Sequence, residues 1–157
     1  MGSLMYLVNT RTDMCYVVNH LSQAMVSPIK LYWKASNHVL RYLRGITQYG
    51  FQYIRTKRVK LQGFTDADWA WSLSDRKSTS AGIFSIGSAV VSWYSRKWRS
   101  VALSSAEAEY MDSSQEACEA IWMRKSLVGL FGQQMDPTMI YCDNQSCIKL
   151  SEKSIFS

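Results

Sequence analysis

Three stretches of the chain carry carboxylates at spacings that could do chemistry. Asp66 and Asp68 lie two apart in a run with strand character, so their side chains point to one face. Like charges on one face repel unless a cation or hydrogen bonds stabilise them, and strands disfavour Asp. The pair therefore reads either as a reactive site or as the polar end of a strand entering a turn. Glu107 and Glu109 stand at the start of a helical run, where the macrodipole favours acids in any case. Two positions apart on a helix they diverge by about 200°, so they do not both reach one point, and periodicity does not choose between them. Asp143 follows a short β-branched and aromatic run and precedes a helical one. That position suits an N-cap, and it is also the carboxyl end of a parallel strand, where active-site residues collect. Brought to one sheet edge, a strand Asp, a helix Glu and a post-strand Asp would form a hard-oxygen cluster that selects Mg²⁺ or Mn²⁺. Two such ions would support in-line displacement at a phosphodiester, one lowering the pKa of the attacking water and the other stabilising the leaving oxygen.

The elements that must position these residues follow from the hydrophobic pattern. Apolar residues fall at helical spacing over 13–25 and again over 28–43, the second run being Leu31, Tyr32, Ala35, Val39, Leu40 and Leu43. Ser27 offers an N-cap, Pro28 a first-turn proline and Gly45 a stop. Lys30, Lys34, Arg41 and Arg44 occupy much of that helix's remaining surface, either as a solvated face or as one facing phosphate. A short alternating strand over 50–55 leads into the basic run Arg55, Lys57, Arg58, Lys60, and the chain changes character at Leu61. Strand-like segments follow at 61–70, 81–86 and 89–94, with Gly87 and Ser88 as a tight-turn signal between the last two. A long helix over 104–130 opens on Ser104 and Glu107, the spacing of a capping box. A strand over 138–142 and a helix over 144–152 complete the pattern, which predicts an α/β or α+β sheet with a parallel crossover.

A length of 157 residues, 47% hydrophobic and 19% charged, is that of one globular domain or a domain with a helical extension, and excludes disorder, collagen and a low-complexity linker. The net charge of +6 is unevenly placed: residues 1–65 hold nine Lys and Arg against the single acid Asp13, and residues 66–157 hold nine against eleven. Such asymmetry points to a nucleic-acid or membrane partner. No apolar run approaches the roughly 18 residues of a spanning helix, and no basic segment followed by an apolar one opens the chain, so we expect an intracellular, non-secreted protein without a membrane role. Cys15, Cys118, Cys142 and Cys147 show no C-x-x-C spacing, and His20 and His38 lie far from them, so small buried thiols are expected rather than a zinc site or disulfide framework.

Four motifs carry a resemblance: Gly-Phe-Thr-Asp-Ala-Asp-Trp (63–69), Ser-Leu-Ser-Asp-Arg-Lys-Ser-Thr-Ser (72–80), Val-Ala-Leu-Ser-Ser-Ala-Glu-Ala-Glu-Tyr (101–110) and Tyr-Cys-Asp-Asn-Gln-Ser (141–146). They resemble the ribonuclease H domain of Ty1/copia retrotransposon polyproteins. Residues 3–60, with Ser-Leu-Met-Tyr-Leu (3–7) and Trp-Lys-Ala (33–35), resemble the connection between reverse transcriptase and that domain. The resemblance implies a helical connection over 1–60 and a ribonuclease H-like α/β domain over 61–157, with three antiparallel strands, one parallel strand and flanking helices. It implies Asp66, Glu109 and Asp143 as catalytic and metal-binding residues, supported by Asp68, Glu107 and Asn144, with Mg²⁺ or Mn²⁺ as cofactor. The implied substrate is the RNA strand of an RNA/DNA hybrid, read by groove shape and 2′-OH contacts. Arg55, Lys57, Arg58, Lys60, Arg96, Lys97 and Arg99 are the candidates for phosphate contact, with Trp93 and Trp98 nearby as core and loop aromatics or as stacking platforms.

The chain departs from the family pattern at Thr12, where Pro is usual, at Trp71, where Gly is usual, at Ala81 and Gly82, where Gly-Tyr is usual, and at Asp112, where a small residue is usual. An indole at Trp71 would stand near the metal or substrate. Ser157 precedes the family's final strand and its fourth catalytic Asp, so the expectation is a truncated domain with activity weakened or lost and an exposed sheet edge open to a protein partner. The alternative is a catalytically inactive, retroelement-derived protein that binds nucleic acid or a protein.

Overall fold

Alternation along one strand decides how the second half of the chain folds. In β1 (Leu61–Asp68), Leu61, Gly63, Thr65 and Ala67 are buried whereas Phe64, Asp66 and Asp68 are exposed, the period of two of a sheet with one covered face. The computed structural model describes residues 1–54, 60–72, 75–132 and 134–153, which form two compact units, Met1–Phe51 and Gln52–Ser157.

In the second unit β2 (Thr79–Ile86) pairs antiparallel along all of β1, from Leu61 opposite Ile86 to Asp68 opposite Thr79. β3 (Ala89–Lys97) returns through Gly87 and Ser88, and Gly87 has a φ of 60°, a left-handed conformation that only glycine adopts freely. Both strands run further than expected, to Thr79 and Lys97, because Asp68 of β1 pairs with Thr79 and Thr79 in turn with Lys97, so the ladder continues across the sheet. β4 (Met139–Tyr141) lies parallel to β1 on its other side, Met139 to Tyr141 opposite Gln62 to Phe64, so the order is β3-β2-β1-β4. The result is a mixed α/β arrangement consistent with a ribonuclease H-like fold: three antiparallel strands, one parallel strand and flanking helices. Among the described residues β3 and β4 form its edges.

The crossover to β4 is α4 (Ser105–Phe131). Ser104 Oγ accepts from Glu107 N–H at 3.1 Å, and a Glu107 oxygen accepts from Leu103 N–H at 2.5 Å, which sets the helix start; Gly132, with a φ of 64°, ends it. Its buried stripe is Ala108, Glu109, Asp112, Glu116, Ala120 and Met123. Ala120 and Met123 pack with Leu61 and Phe84 in one cluster, and Ala108 with Ala67 and Ala102 in another. α5 (Gln145–Lys153) follows β4. Residues 50–54, expected as part of a strand, are not in a strand; Tyr53 donates its hydroxyl to Val90 C=O, and Ile54 N–H donates to Ser88 Oγ.

The first unit holds α1 (Gly2–Leu7), a 3-10 turn at Thr12–Met14, α2 (Cys15–Gln23) and α3 (Lys30–Gly45) around Leu4, Met14, Val18, Leu21 and Val39. Asp13 accepts two hydrogen bonds from Arg11, at 2.9 and 2.8 Å, and one from the Tyr42 hydroxyl at 2.9 Å, which fastens the 3-10 turn to α3. Two sequence expectations are corrected. Ser27 and Pro28 do not open the helix: Ile29 is its N-cap, its carbonyl being the first to accept helical bonds, from Tyr32 and Trp33. Gly45 is the last helical residue rather than the residue that stops the helix. Among the described residues no helix is long and apolar enough to cross a membrane.

Candidate metal centre

β4 ends at Tyr141, opposite Phe64, so the edge of β1 beyond Phe64 has no strand beside it. The Glu109 carboxylate takes that place: Ala67 N–H donates to Glu109 Oε1 at 3.4 Å, and Glu109 is 5% exposed. The Cys142 thiol, one residue past β4, donates to Glu109 Oε2 at 3.7 Å, and Asp143 follows it. Donor atoms of Glu109, Cys142 and Asp143 all lie within 4.8 Å of one another. Asp66 does not join that group, but its charge reaches Glu109, and the charge of Asp143 reaches both. Burial raises the Glu109 pKa, the Ala67 N–H partly offsets this, and the charges of Asp143 and Asp66 raise it further. Asp66 is exposed as a residue, yet partial shielding of its carboxyl, then the charges of Asp68 and Asp143, raise it as well. Asp68 therefore acts as a neighbouring negative charge at the end of β1. The raised Glu109 and Asp66 carboxyls, each facing the charge of Asp143, belong to a donor set that a divalent cation would relieve, and hard oxygens suit Mg²⁺ or Mn²⁺.

Two residues with alternative roles separate here. Asn144, not Asp143, caps α5: its Oδ1 accepts from Ser146 and Cys147 N–H, each at 3.0 Å. Asp143 is thereby left for the cluster. Glu107 is engaged in the cap of α4, which leaves Glu109, two residues on, to face β1.

Sequence reasoning passed over a second buried group. Tyr94 donates towards Glu116 at 2.7 Å and Asp112 at 3.1 Å, and Thr65 donates to Asp112 at 2.5 Å; both acids have no exposed surface. Burial pushes the Glu116 carboxyl up to about 7 and raises Asp112. The glycines opposite make the room: a Cβ at Gly82 would overlap the Tyr94 ring and the Glu116 carboxyl, and one at Gly63 would lie 2.9 Å from the Phe84 ring. A signal existed, since Glu109, Asp112 and Glu116 are spaced three and four apart within the stripe of Ala108, Ala120 and Met123.

Of the basic candidates, Arg55, Lys57 and Arg58 lie outside the described residues. Lys60, Arg96 and Arg99 are exposed, the Arg96 guanidinium 5.0 Å over the Tyr94 ring. Arg96, Trp98, Arg99, Asp112 and Gln115 line a cavity of about 340 Å³ between the end of β3 and α4. Lys97 is tied into an ion pair with Asp75 at 3.0 Å and a hydrogen bond to Ser72 at 2.9 Å, so phosphate would have to compete for it. Trp98 donates its indole N–H to Ser80 Oγ. Trp93 is half-buried in the cross-strand row of Tyr141, Phe64 and Ile83, on the face away from α4, and Trp71 is exposed.

The chain is 39% identical over 155 residues to the retrovirus-related Pol polyprotein from transposon RE2 of Arabidopsis thaliana, and 38% identical over 156 residues to that from transposon TNT 1-94 of Nicotiana tabacum. Each match covers 99% of this chain but only 11% and 12% of the respective polyproteins. Secreted RxLR effector protein 161 of Plasmopara viticola is 45% identical over 123 residues, 78% of this chain and 87% of that protein. No protein-family model and no solved structure matches the chain. Similarity that runs through both units, at nearly equal identity to polyproteins of two plants, makes retrovirus-related Pol polyproteins of copia-type transposons the homologues of this chain, which spans about a tenth of their length.

Proposed function

We propose that this chain is a ribonuclease H region of such a polyprotein and hydrolyses the RNA strand of RNA/DNA hybrids. The observation that carries the reading is the meeting of Glu109 and Asp143, contributed by α4 and the end of β4, within charge reach of Asp66 on β1. Asp66, Glu109 and Asp143 would hold Mg²⁺ or Mn²⁺, which when bound supplies an activated water and stabilises the leaving oxygen. The chain's own residues do the rest. Ala67 N–H orients the Glu109 carboxylate, and its burial keeps water from one side of it. The Asn144 cap anchors α5 directly after Asp143 and so fixes where that carboxylate stands. Arg96 and Arg99, both exposed, are placed to take backbone phosphates.

A second reading is a chain that binds hybrid without cutting it. It is favoured by the presence of a thiol, Cys142, rather than the Asp66 carboxylate in the tight donor group. Mg²⁺-dependent cleavage of a labelled hybrid, with Asp143→Asn as control, separates the two. Cleavage above the control supports the nuclease. Cleavage no greater than the control, with binding that weakens steeply as salt rises, supports the binding protein. Absent or salt-insensitive binding removes the nucleic-acid role.

A further inference from the structure

Glu109, Cys142 and Asp143 form, among the described residues, the one group of three metal-ligating side chains whose donor atoms all approach within 4.8 Å. Cys142 is foreign to a magnesium centre, because Mg²⁺ takes oxygen ligands and gains nothing from sulfur. A borderline or soft divalent ion behaves differently: Zn²⁺ accepts thiolate sulfur, and carboxylate oxygen beside it. A further observation points the same way. Glu109 is 5% exposed, yet its bonds to Ala67 and Cys142 are long, at 3.4 and 3.7 Å, so its oxygens are weakly satisfied. A second buried sulfur lies nearby: Cys147, 2% exposed in the first turn of α5, has its Sγ 3.4 Å from Ser113 Oγ and stands outside the group of three.

We propose that Glu109, Cys142 and Asp143 form a three-residue site for a thiophilic divalent cation of the zinc class, and that this cation competes with Mg²⁺ for the two carboxylates. Binding replaces the S–H bond of Cys142 by a sulfur–metal bond and releases that proton to solvent, with no change of oxidation state. The site shares two residues with the proposed nuclease centre, but its occupancy does not depend on cleavage. It would make the chain sensitive to zinc-class ions at concentrations far below that of magnesium.

The test is a titration of the full chain with Cd²⁺ in excess Mg²⁺, followed by the ultraviolet thiolate-to-cadmium charge-transfer band, with Zn²⁺ as competitor. One equivalent of Cd²⁺ should raise the band, and Zn²⁺ should abolish it. Cys142→Ser should remove the band and weaken binding about tenfold or more. Glu109→Gln, which leaves both thiols in place and carries the test should the Ser variant not fold, should weaken binding to a similar degree. Cys118→Ser, at an exposed position of α4, should change nothing. No band on the unaltered chain, a band that survives both Cys142→Ser and Glu109→Gln, or one that Cys118→Ser removes would each overturn the proposal. Failure of hybrid cleavage would leave the cadmium result standing, and absence of the band would leave the nuclease reading standing.

Discussion

The Tyr94 hydroxyl lies 2.7 Å from Glu116 Oε2, beneath the sheet where Glu116 has no exposed surface. The same hydroxyl lies 3.1 Å from Asp112, and a phenol has one proton to donate, so both contacts are made only when one carboxyl keeps its own. Glu116, pushed up to about 7 by burial, is the one that does.

The sign of the resulting pH dependence follows. The folded-state pKa of Glu116 stands above its ordinary 4.5, so its stabilising contribution is complete below pH 4.5 and is lost as pH rises to about 7. Unfolding free energy from urea denaturation should fall by about 3 kcal/mol across that window. Asp112, Glu109 and Asp66, all raised, add to the fall with the same sign. Glu116→Gln should flatten the curve and leave the variant the more stable protein at pH 8; a curve that stays as steep would refute the protonated-Glu116 assignment.

Gly82 carries the cost of housing Tyr94 and Glu116 together. Gly82→Ala should destabilise the protein by about 3 kcal/mol, because its Cβ meets a ring and a carboxyl confined by the core. Gly129→Ala, where the added carbon meets nothing within 4 Å on α4, should instead stabilise by about 0.5–1 kcal/mol through helix propensity. Chemical denaturation of the two variants gives both signs in one experiment.

Neighbouring residues after β4 should respond oppositely. Asn144→Ala removes the oxygen that caps α5 and should cost about 1 kcal/mol. Asp143→Asn removes a charge that strains Glu109 and Asp66, so it should leave the metal-free protein as stable or slightly more so while abolishing the rise in Tm on adding Mg²⁺. Calorimetry with and without Mg²⁺ checks both; a Tm rise that persists in Asp143→Asn would remove that residue from the ligand set.

Two adjacent basic residues should differ in hybrid binding. Arg96 is exposed over the Tyr94 ring, and Arg96→Ala should lower the slope of log affinity against log salt by about 1. Lys97 is already neutralised by Asp75, so Lys97→Ala should change that slope by much less. Binding isotherms over a salt series measure it, and equal slopes for the two variants would contradict the assignment of Lys97 to Asp75.

Much of this protein was legible before folding was considered. The strand character of 61–70, the turn at Gly87 and Ser88, and the Ser104–Glu107 cap are local properties, and they stand in the structure, the strand ending two residues early at Asp68. The choice of Glu109 over Glu107 came from family resemblance, and the geometry gives a reason for it: one acid caps the helix while the other reaches β1. Helix ends were less legible, since Ser27 and Pro28 have the right chemistry at a place where the backbone does not begin its helix.

Types, periods and caps are thus determined by the sequence alone, because they rest on contacts between residues a few positions apart. Only the tertiary structure decided that Cys142 joins Glu109 and Asp143, that Asn144 takes the cap from Asp143, and that Asp112 and Glu116 lie under the sheet with Tyr94. Burial and like-charge proximity set those outcomes, and both arise from segments tens of residues apart whose distance no local pattern encodes.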